Sequence, residues 1–294
     1  MGAGSRLRVA IIGTGNIGTD LMFKIERSPL LELAGVAGID PSSPGLRLAG
    51  ERGHPVSDTG LGGLLDLVPQ IDLAFDATSA RTHLEHARVL AERGIRSVDL
   101  TPAALGPAVV PPVNLAAYPD AAEINLVTCG AQATVPIVAA VSHLADVPYA
   151  ETVSTVASRS AGPGTRNNID EFTTATARSL EQIGGAAKAK AIIILNPADP
   201  PIRMRNTIYL DVRDRIGLDA LTSAVTEAAA GVAAYVPGYR LAGAPQLAGG
   251  IATIMVEVEG AADFLPAFAG NLDIMTSAAV RVAELYATGP EAAG

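Results

Sequence analysis

Only one cysteine, Cys129, occurs in the 294 residues, so no disulfide can close within the chain and a single thiol is left whose role must be argued. No run reaches the roughly 18 consecutive apolar residues that a bilayer span requires. The opening Met1-Gly2-Ala3-Gly4-Ser5-Arg6 lacks an apolar signal core and places Arg6 where a myristoylation motif wants Ser or Thr. Basic runs are missing too, and the net charge is −9, so nothing can track a phosphate backbone. These absences predict a cytoplasmic protein whose partners include neither nucleic acid nor membrane. What is present is core-forming material: 49% of residues are apolar and 17% charged, which excludes disorder. At roughly 100–200 residues per domain, the length favours two domains.

The first half alternates. Residues 7–13 read as a buried parallel strand, 16–27 as a helix stopped by Pro29, and 31–39 as a strand closing on Asp40-Pro41. Residues 42–57 read as loop with one short helix. Strands follow at 71–76, 95–100 and 123–128, with a helix over 80–93. Strands separated by such helices imply right-handed crossovers and a Rossmann-type doubly wound parallel sheet in an α/β chain. After Cys129 the pattern changes. Helices are expected over 134–144, with Pro136 early in it, over 218–230, and from Asn168, an N-cap with Glu171 three residues on, to 183. Strands are expected at 152–158, 191–195, 207–212, 233–241 and 251–258, and a last helix over 272–287. Longer strands with fewer helices suggest an α+β domain on a mixed or antiparallel sheet.

Gly13-Thr14-Gly15-Asn16-Ile17-Gly18 is a G-x-G-x-x-G placed directly after a strand and opening a helix. Gly13 permits the tight turn, Gly15 lets the backbone approach a pyrophosphate, and Gly18 lets helix and strand pack closely. The helix N-terminus offers amide donors to the anion. Asp40, 22 residues past Gly18, fits the acid that accepts from the adenosine ribose, and its charge favours NAD over NADP.

Cys129 follows the predicted strand 123–128 and precedes a helix. In a doubly wound fold ligands gather at the carboxyl ends of strands, and a helix N-terminus favours a thiolate. A small buried hydrophobe is the competing reading. A thiolate could add to an aldehyde, the amides of Gly130 and Ala131 being candidate donors to the resulting oxyanion; hydride transfer would leave a thioester. Residue chemistry does not choose between water and a thiol as its acceptor. Two other readings stay open: a non-catalytic NAD-binding redox-sensing subunit, and a Rossmann reductase without covalent catalysis.

Several segments taken together resemble the acylating acetaldehyde/propanal dehydrogenases of bacterial meta-cleavage pathways: the glycine motif with Thr19-Asp20-Leu21, Asp76-Ala77-Thr78-Ser79-Ala80, Asp99-Leu100-Thr101-Pro102-Ala103-Ala104, Asn125-Leu126-Val127-Thr128-Cys129-Gly130-Ala131-Gln132, Ser158-Arg159-Ser160-Ala161-Gly162-Pro163-Gly164-Thr165-Arg166 and Gly270-Asn271-Leu272-Asp273-Ile274-Met275-Thr276. The resemblance implies oxidation of a short aldehyde, acetaldehyde or propanal, with NAD and coenzyme A to acyl-CoA and NADH, in aromatic or steroid catabolism, with Cys129 carrying the acyl thioester. It also implies NAD contacts from Ser160, Ala161, Gly162, Pro163, Gly164, Thr165, Arg166, Asn167, Asn168 and Asn271. Residues 1–130 with 271–294 would form the NAD-binding domain, the last helix packing back on it, and 131–270 the catalytic and oligomerisation domain. The implied partner is a 4-hydroxy-2-oxoacid aldolase, two copies of each chain forming a heterotetramer around a homodimer. In one place the chain departs from the family. Asn206 stands where the family carries an aspartate that helps deprotonate the thiol or CoA, and an amide cannot be a general base.

No metal is expected. His83 and His86 lie three apart on a predicted helix with no third or fourth ligand at a recognisable spacing, and read as a solvated face. Asp20, Thr101 and Asp273 could line the cleft or cap local structure, and read as local caps.

Overall fold

In the computed structural model, residues 6–162, 165–166, 168–213 and 216–289 are described. They fall into two compact units. One comprises Met1–Pro111, Leu115–Leu126 and Thr276–Gly294, the other Pro112–Asn114 and Val127–Met275.

The first unit is a doubly wound parallel sheet. Its strands are β1 (Leu7–Ile12), β2 (Leu31–Ala37), β3 (Val56–Ser57), β4 (Leu73–Asp76), β5 (Arg96–Asp99) and β6 (Glu123–Asn125), in the spatial order β3-β2-β1-β4-β5-β6. That order reverses direction beside β1, which is where this architecture collects ligands. The strands are short apolar runs because both faces are covered: Val9, Ala10, Ile11, Leu73, Ala74 and Phe75 are fully buried. The crossover helices are α1 (Asn16–Arg27), α2 (Pro44–Glu51), α3 (Gly60–Leu67) and α4 (Ala80–Glu92); α5 (Pro111–Asn114), a single turn before β6 in the chain, falls from Pro112 on in the second unit. Helix α3 has no counterpart in the sequence reading. Its segment Gly60-Leu61-Gly62-Gly63-Leu64-Leu65 carries three glycines and little intrinsic helicity, and burial of Leu61, Leu64 and Leu65 overrides propensity.

The second unit is built on a mixed sheet of β7 (Tyr149–Ala157), β8 (Ala189–Asn196), β9 (Met204–Asp211), β10 (Tyr239–Leu241), β11 (Gln246–Ala248) and β12 (Ile251–Val258). The order is β10-β12-β9-β7-β8, with β11 on β12; β7 and β8 are parallel and the remaining pairs antiparallel. Its helices are α6 (Cys129–Ser142), α7 (Ile169–Gln182) and α8 (Leu218–Ala233). Helix α9 (Gly270–Thr288) begins in this unit and continues in the first from Thr276.

Three expectations are corrected. Helix α6 begins at Cys129 rather than 134, because the Thr128 hydroxyl accepts from the Ala131 amide and caps it; Pro136 therefore lies inside the helix. Residues 233–238 are not strand. Val225, Ala229 and Val232 keep a buried helical stripe going through Ala233, and only Tyr239–Leu241 pair with β12. Asn168 precedes α7 but makes no side-chain cap, since its φ of −128° and ψ of 37° are not the extended backbone of a capping residue. No described helix is long and apolar enough to cross a membrane.

Within the first unit, Asp20 is not a cap. It lies inside α1, 1% exposed, and its Oδ2 accepts from Thr276 Oγ1 of α9 at 2.5 Å and lies 3.0 Å from the buried Lys24 ammonium. The Ser28 hydroxyl donates to Glu284 at 2.7 Å and Tyr286 Oη to the Tyr118 carbonyl at 3.0 Å, so α9 is fastened along its length. Asp20→Ala, which takes the carboxylate from a buried ammonium, should cost about 3–5 kcal/mol of unfolding free energy. Thr276→Val, which removes one hydroxyl donor, should cost only about 1–2 kcal/mol. Urea denaturation distinguishes the two, and equal losses would contradict this account.

Candidate active site

The glycine-rich turn shows why each glycine is there. Gly13 has φ +109°, and a Cβ on it would stand 2.7 Å from the Ala77 carbonyl oxygen. A Cβ on Gly18 would fall 1.8 Å from the Gly13 oxygen, so strand and helix approach more closely than any side chain permits. Around Gly15, by contrast, a Cβ would meet nothing within 4 Å. This is the room a diphosphate needs against the backbone, and α1 begins there with no side-chain cap. Asn16 and Ile17 form the first turn of that helix.

The turn has a second wall that sequence reasoning missed. Thr14 Oγ1 hydrogen-bonds Ser43 Oγ at 2.7 Å, and a Cβ on Gly45 would stand 2.3 Å from the Thr14 carbonyl oxygen, so the start of α2 lies directly against the glycine loop. Asp40 is exposed in the loop between β2 and α2. Its Oδ1 accepts from the Ser42 hydroxyl at 2.6 Å and amide at 2.8 Å, bonds that hold its carboxyl below the usual range. Ile39 beside it is 87% exposed. The residues present thus fit an adenine dinucleotide: a pyrophosphate cradle, an ionised acceptor and an apolar platform at the end of β2.

In the second unit, Cys129 is the first residue of α6 and is half-buried. The turn that delivers it is strained, since Val127, β-branched, has φ +60°. Thr128 Oγ1 lies 2.7 Å from Thr176 Oγ1, tying the turn to α7. A Cβ on Gly130 would stand 3.0 Å from Phe172 Cζ and 3.2 Å from Ser154 Oγ, so the helix start sits tightly on β7 and α7. Two expectations about this thiol change. Burial pushes Cys129 up to about 12, from an ordinary 9.0, against hydrogen bonds from the amides of Gly130 and of Cys129 itself. Desolvation outweighs the helix terminus. The Ala131 amide is taken by the Thr128 cap, so it is not a spare oxyanion donor.

Asn206 lies on β9 opposite Ser154 of β7, the residue whose hydroxyl faces Gly130. It is 1% exposed, and neither its Oδ1 nor its Nδ2 has a hydrogen-bond partner. Ser160 and Asn271, 111 residues apart, come together: the Ser160 hydroxyl donates to Asn271 Oδ1 at 2.6 Å, and Asn271 Nδ2 donates to the Ser160 carbonyl at 3.3 Å. Arg166 folds back on the same loop, donating from Nε to the Ala161 carbonyl and from Nη2 to the Ser158 carbonyl. Gly162 is exposed, Thr165 half-buried, and Asn168 precedes α7. Pro163, Gly164 and Asn167 lie outside the described residues.

Residues 8–121 match the family model described as semialdehyde dehydrogenase, NAD binding domain, and residues 129–266 the one described as prokaryotic acetaldehyde dehydrogenase, dimerisation. An acetaldehyde dehydrogenase of Geobacillus stearothermophilus is 56% identical over 95% of this chain and 96% of its own length. The chain belongs to the acetaldehyde dehydrogenase family. Another member, from Chloroflexus aggregans, is 57% identical over 96% of each chain. The fold is shared more widely: aspartate semialdehyde dehydrogenase II from Vibrio cholerae superposes with a TM-score of 0.66 at 15% identity, covering 96% of this chain and 98% of that one.

In this member of the family the two histidines of α4 do not face solvent. His83 is fully buried, with Nδ1 2.9 Å from Asp76 Oδ2 and Nε2 2.8 Å from Glu123 Oε1. His86 Nδ1 lies 2.7 Å from the same Asp76 oxygen. The spacing of three put them on one helical face, but that face covers the carboxylates at the strand ends.

The raised thiol makes a prediction. Alkylation of Cys129 by iodoacetamide should be at least tenfold slower at pH 8 than that of a free cysteine in a peptide, and should climb as the pH passes 9. A rate already on its plateau at pH 7 would contradict the dominance of burial.

Proposed function

We propose that the protein is a coenzyme A-acylating aldehyde dehydrogenase that converts a short aldehyde, acetaldehyde or propanal, to its acyl-CoA. The observation that carries this reading is the placing of the single thiol at the first position of a capped helix on a strained turn, in a chain that belongs to the acetaldehyde dehydrogenase family. Cys129 is the nucleophile. Its sulfur adds to the aldehyde carbon, forming an S–C bond and an oxyanion; the carbonyl re-forms with loss of hydride, leaving a thioester on Cys129. NAD, when bound, accepts that hydride. The thiol of coenzyme A then attacks the thioester carbon and releases the Cys129 sulfur. The sum is aldehyde, CoA thiol and NAD⁺ going to acyl-CoA, NADH and a proton.

Residues 1–130 with 271–294 serve as the nucleotide domain in this reading. Gly13, Thr14, Gly15, Asn16, Ile17 and Gly18 hold the pyrophosphate and Asp40 the ribose. The loop 160–168 and Asn271 complete the dinucleotide contacts, Ser160 and Asn271 by fixing each other. Because the resting thiol is raised by burial, its deprotonation has to be driven when substrates are bound. Asn206 cannot take the proton, so its role is positional, and Asn206→Asp should keep or raise the rate of acyl-CoA formation. A large loss on that change would contradict the assignment.

Residues 131–270 are the catalytic and oligomerisation domain. The sheet face away from its helices carries Tyr149, Ile194, Tyr209, Ile251 and Met255, between 39% and 45% exposed and brought to one side by the strand register. A second copy covering this face gives the homodimer, and a 4-hydroxy-2-oxoacid aldolase supplying the aldehyde completes a cytoplasmic heterotetramer of aromatic or steroid catabolism.

The deciding experiment mixes protein, NAD, CoA and propanal. NADH should form over many turnovers only with CoA present, at no more than one equivalent per Cys129 without it, and not at all in Cys129→Ala. Without CoA, mass spectrometry should find acyl mass on the peptide holding Cys129. An active Cys129→Ala variant would point instead to a reductase without covalent catalysis, and NAD binding without turnover to a redox-sensing subunit.

A further inference from the structure

The carboxyl ends of β4 and β5 carry Asp76 and Asp99, which face each other in register, and Glu123 of β6 stands opposite Ser97, two residues before Asp99. Side chains two apart on a strand share a face, so all three carboxylates lie on the side that α4 covers. His83 reaches down from α4 into their midst. From His83 Nε2, Glu123 Oε1 is 2.8 Å away and Asp99 Oδ2 3.6 Å; the three atoms lie within 4.8 Å of one another.

Hydrogen bonds within the protein do not satisfy this cluster. Asp76 is saturated: it accepts from the Thr78 amide and hydroxyl through Oδ1 and faces both histidines through Oδ2. Asp99 Oδ1 accepts from the Thr101 amide at 2.6 Å. Asp99 Oδ2 has no hydrogen-bond partner, although the residue is fully buried and this oxygen points at His83 Nε2. The ring nitrogen can offer one proton, and Glu123 is the nearer acceptor, so a proton alone leaves one buried carboxylate oxygen unmet.

We propose that His83, Asp99 and Glu123 form a binding site for a divalent transition-metal cation of the zinc class. Asp76 supplies the supporting contact found behind metal-bound imidazoles: by accepting from Nδ1–H it fixes the tautomer and turns the Nε2 lone pair toward the two free carboxylates. One imidazole and two carboxylates suit zinc. Ligands about 2.0–2.1 Å from a tetrahedral zinc stand about 3.3 Å apart, close to the separations around Nε2. Glu123, whose side chain is 19% exposed, is the ligand nearest solvent, so entry and a fourth, water ligand fall on its side. The cation would tie α4 to the ends of β5 and β6, separately from the thiol chemistry.

The test titrates the full chain carrying Cys129→Ser, so that the thiol contributes no ligand, with Zn²⁺ in a calorimeter and with Co²⁺ in a spectrophotometer. One equivalent of Zn²⁺ should bind, and Co²⁺ should give the visible absorption of a tetrahedral nitrogen–oxygen site. Glu123→Gln should weaken both at least tenfold, while His54→Gln and His143→Gln, on other elements, should leave them unchanged. Asp99→Asn should abolish binding; if that variant does not fold, as far-UV circular dichroism would show, Glu123→Gln decides alone. The absence of stoichiometric binding, or binding that Glu123→Gln leaves unmoved, overturns the proposal.

Discussion

Contact between two backbones, closer than any side chain allows, is the constraint on which the nucleotide unit depends. Where β1 passes into α1 the position of a Gly18 Cβ falls 1.8 Å from the Gly13 oxygen. Only that closeness lets the helix begin directly over the strand end with its first turn uncapped. The same economy of space recurs at Gly45, which brings α2 against Thr14. The glycine-rich turn is thus enclosed by backbone on two sides and left open at Gly15.

Around Cys129 the physics runs in the opposite sense. Strain at Val127 and the Thr128 cap position the sulfur, Ser154, Phe172 and Thr176 pack closely on the neighbouring Gly130, and burial desolvates the thiol. A thiol set this way is well aimed and poorly ionised. With Cys129 as the nucleophile proposed above, reactivity would have to follow substrate arrival, which suits an enzyme handling a reactive aldehyde, because an idle thiolate would be open to oxidation.

The parts legible in the sequence are those written in local chemistry. Helix α1 and strand β12 have the same limits in sequence and structure, since a glycine turn and a proline stop mark the helix and a largely apolar, β-branched run marks the strand. The glycine turn and the acidic residue just past β2 were readable for the same reason. What could not be read depends on distant partners. Helix α3 exists because three leucines find a core, α8 runs past its expected end because its stripe stays buried, and α6 starts five residues early because of one hydroxyl. The burial of His83 needed strands β4, β5 and β6 to be assembled first, and no spacing within α4 announces the carboxylates beneath it. The pairing of Ser160 with Asn271 likewise spans 111 residues. The thiol's environment was misjudged because helix polarity is visible in a sequence and desolvation is not.

An isoleucine left 87% in water at the end of a strand is a thermodynamic marker as well as a surface feature. If a flat aromatic base settles on Ile39, solvent ordered around that side chain is released, and association acquires a decrease in heat capacity that phosphate and ribose contacts alone would not produce. Covering such a side chain completely is worth about 1.5–3 kcal/mol. The dinucleotide's grip would accordingly strengthen on moderate warming relative to that of a fragment lacking the purine.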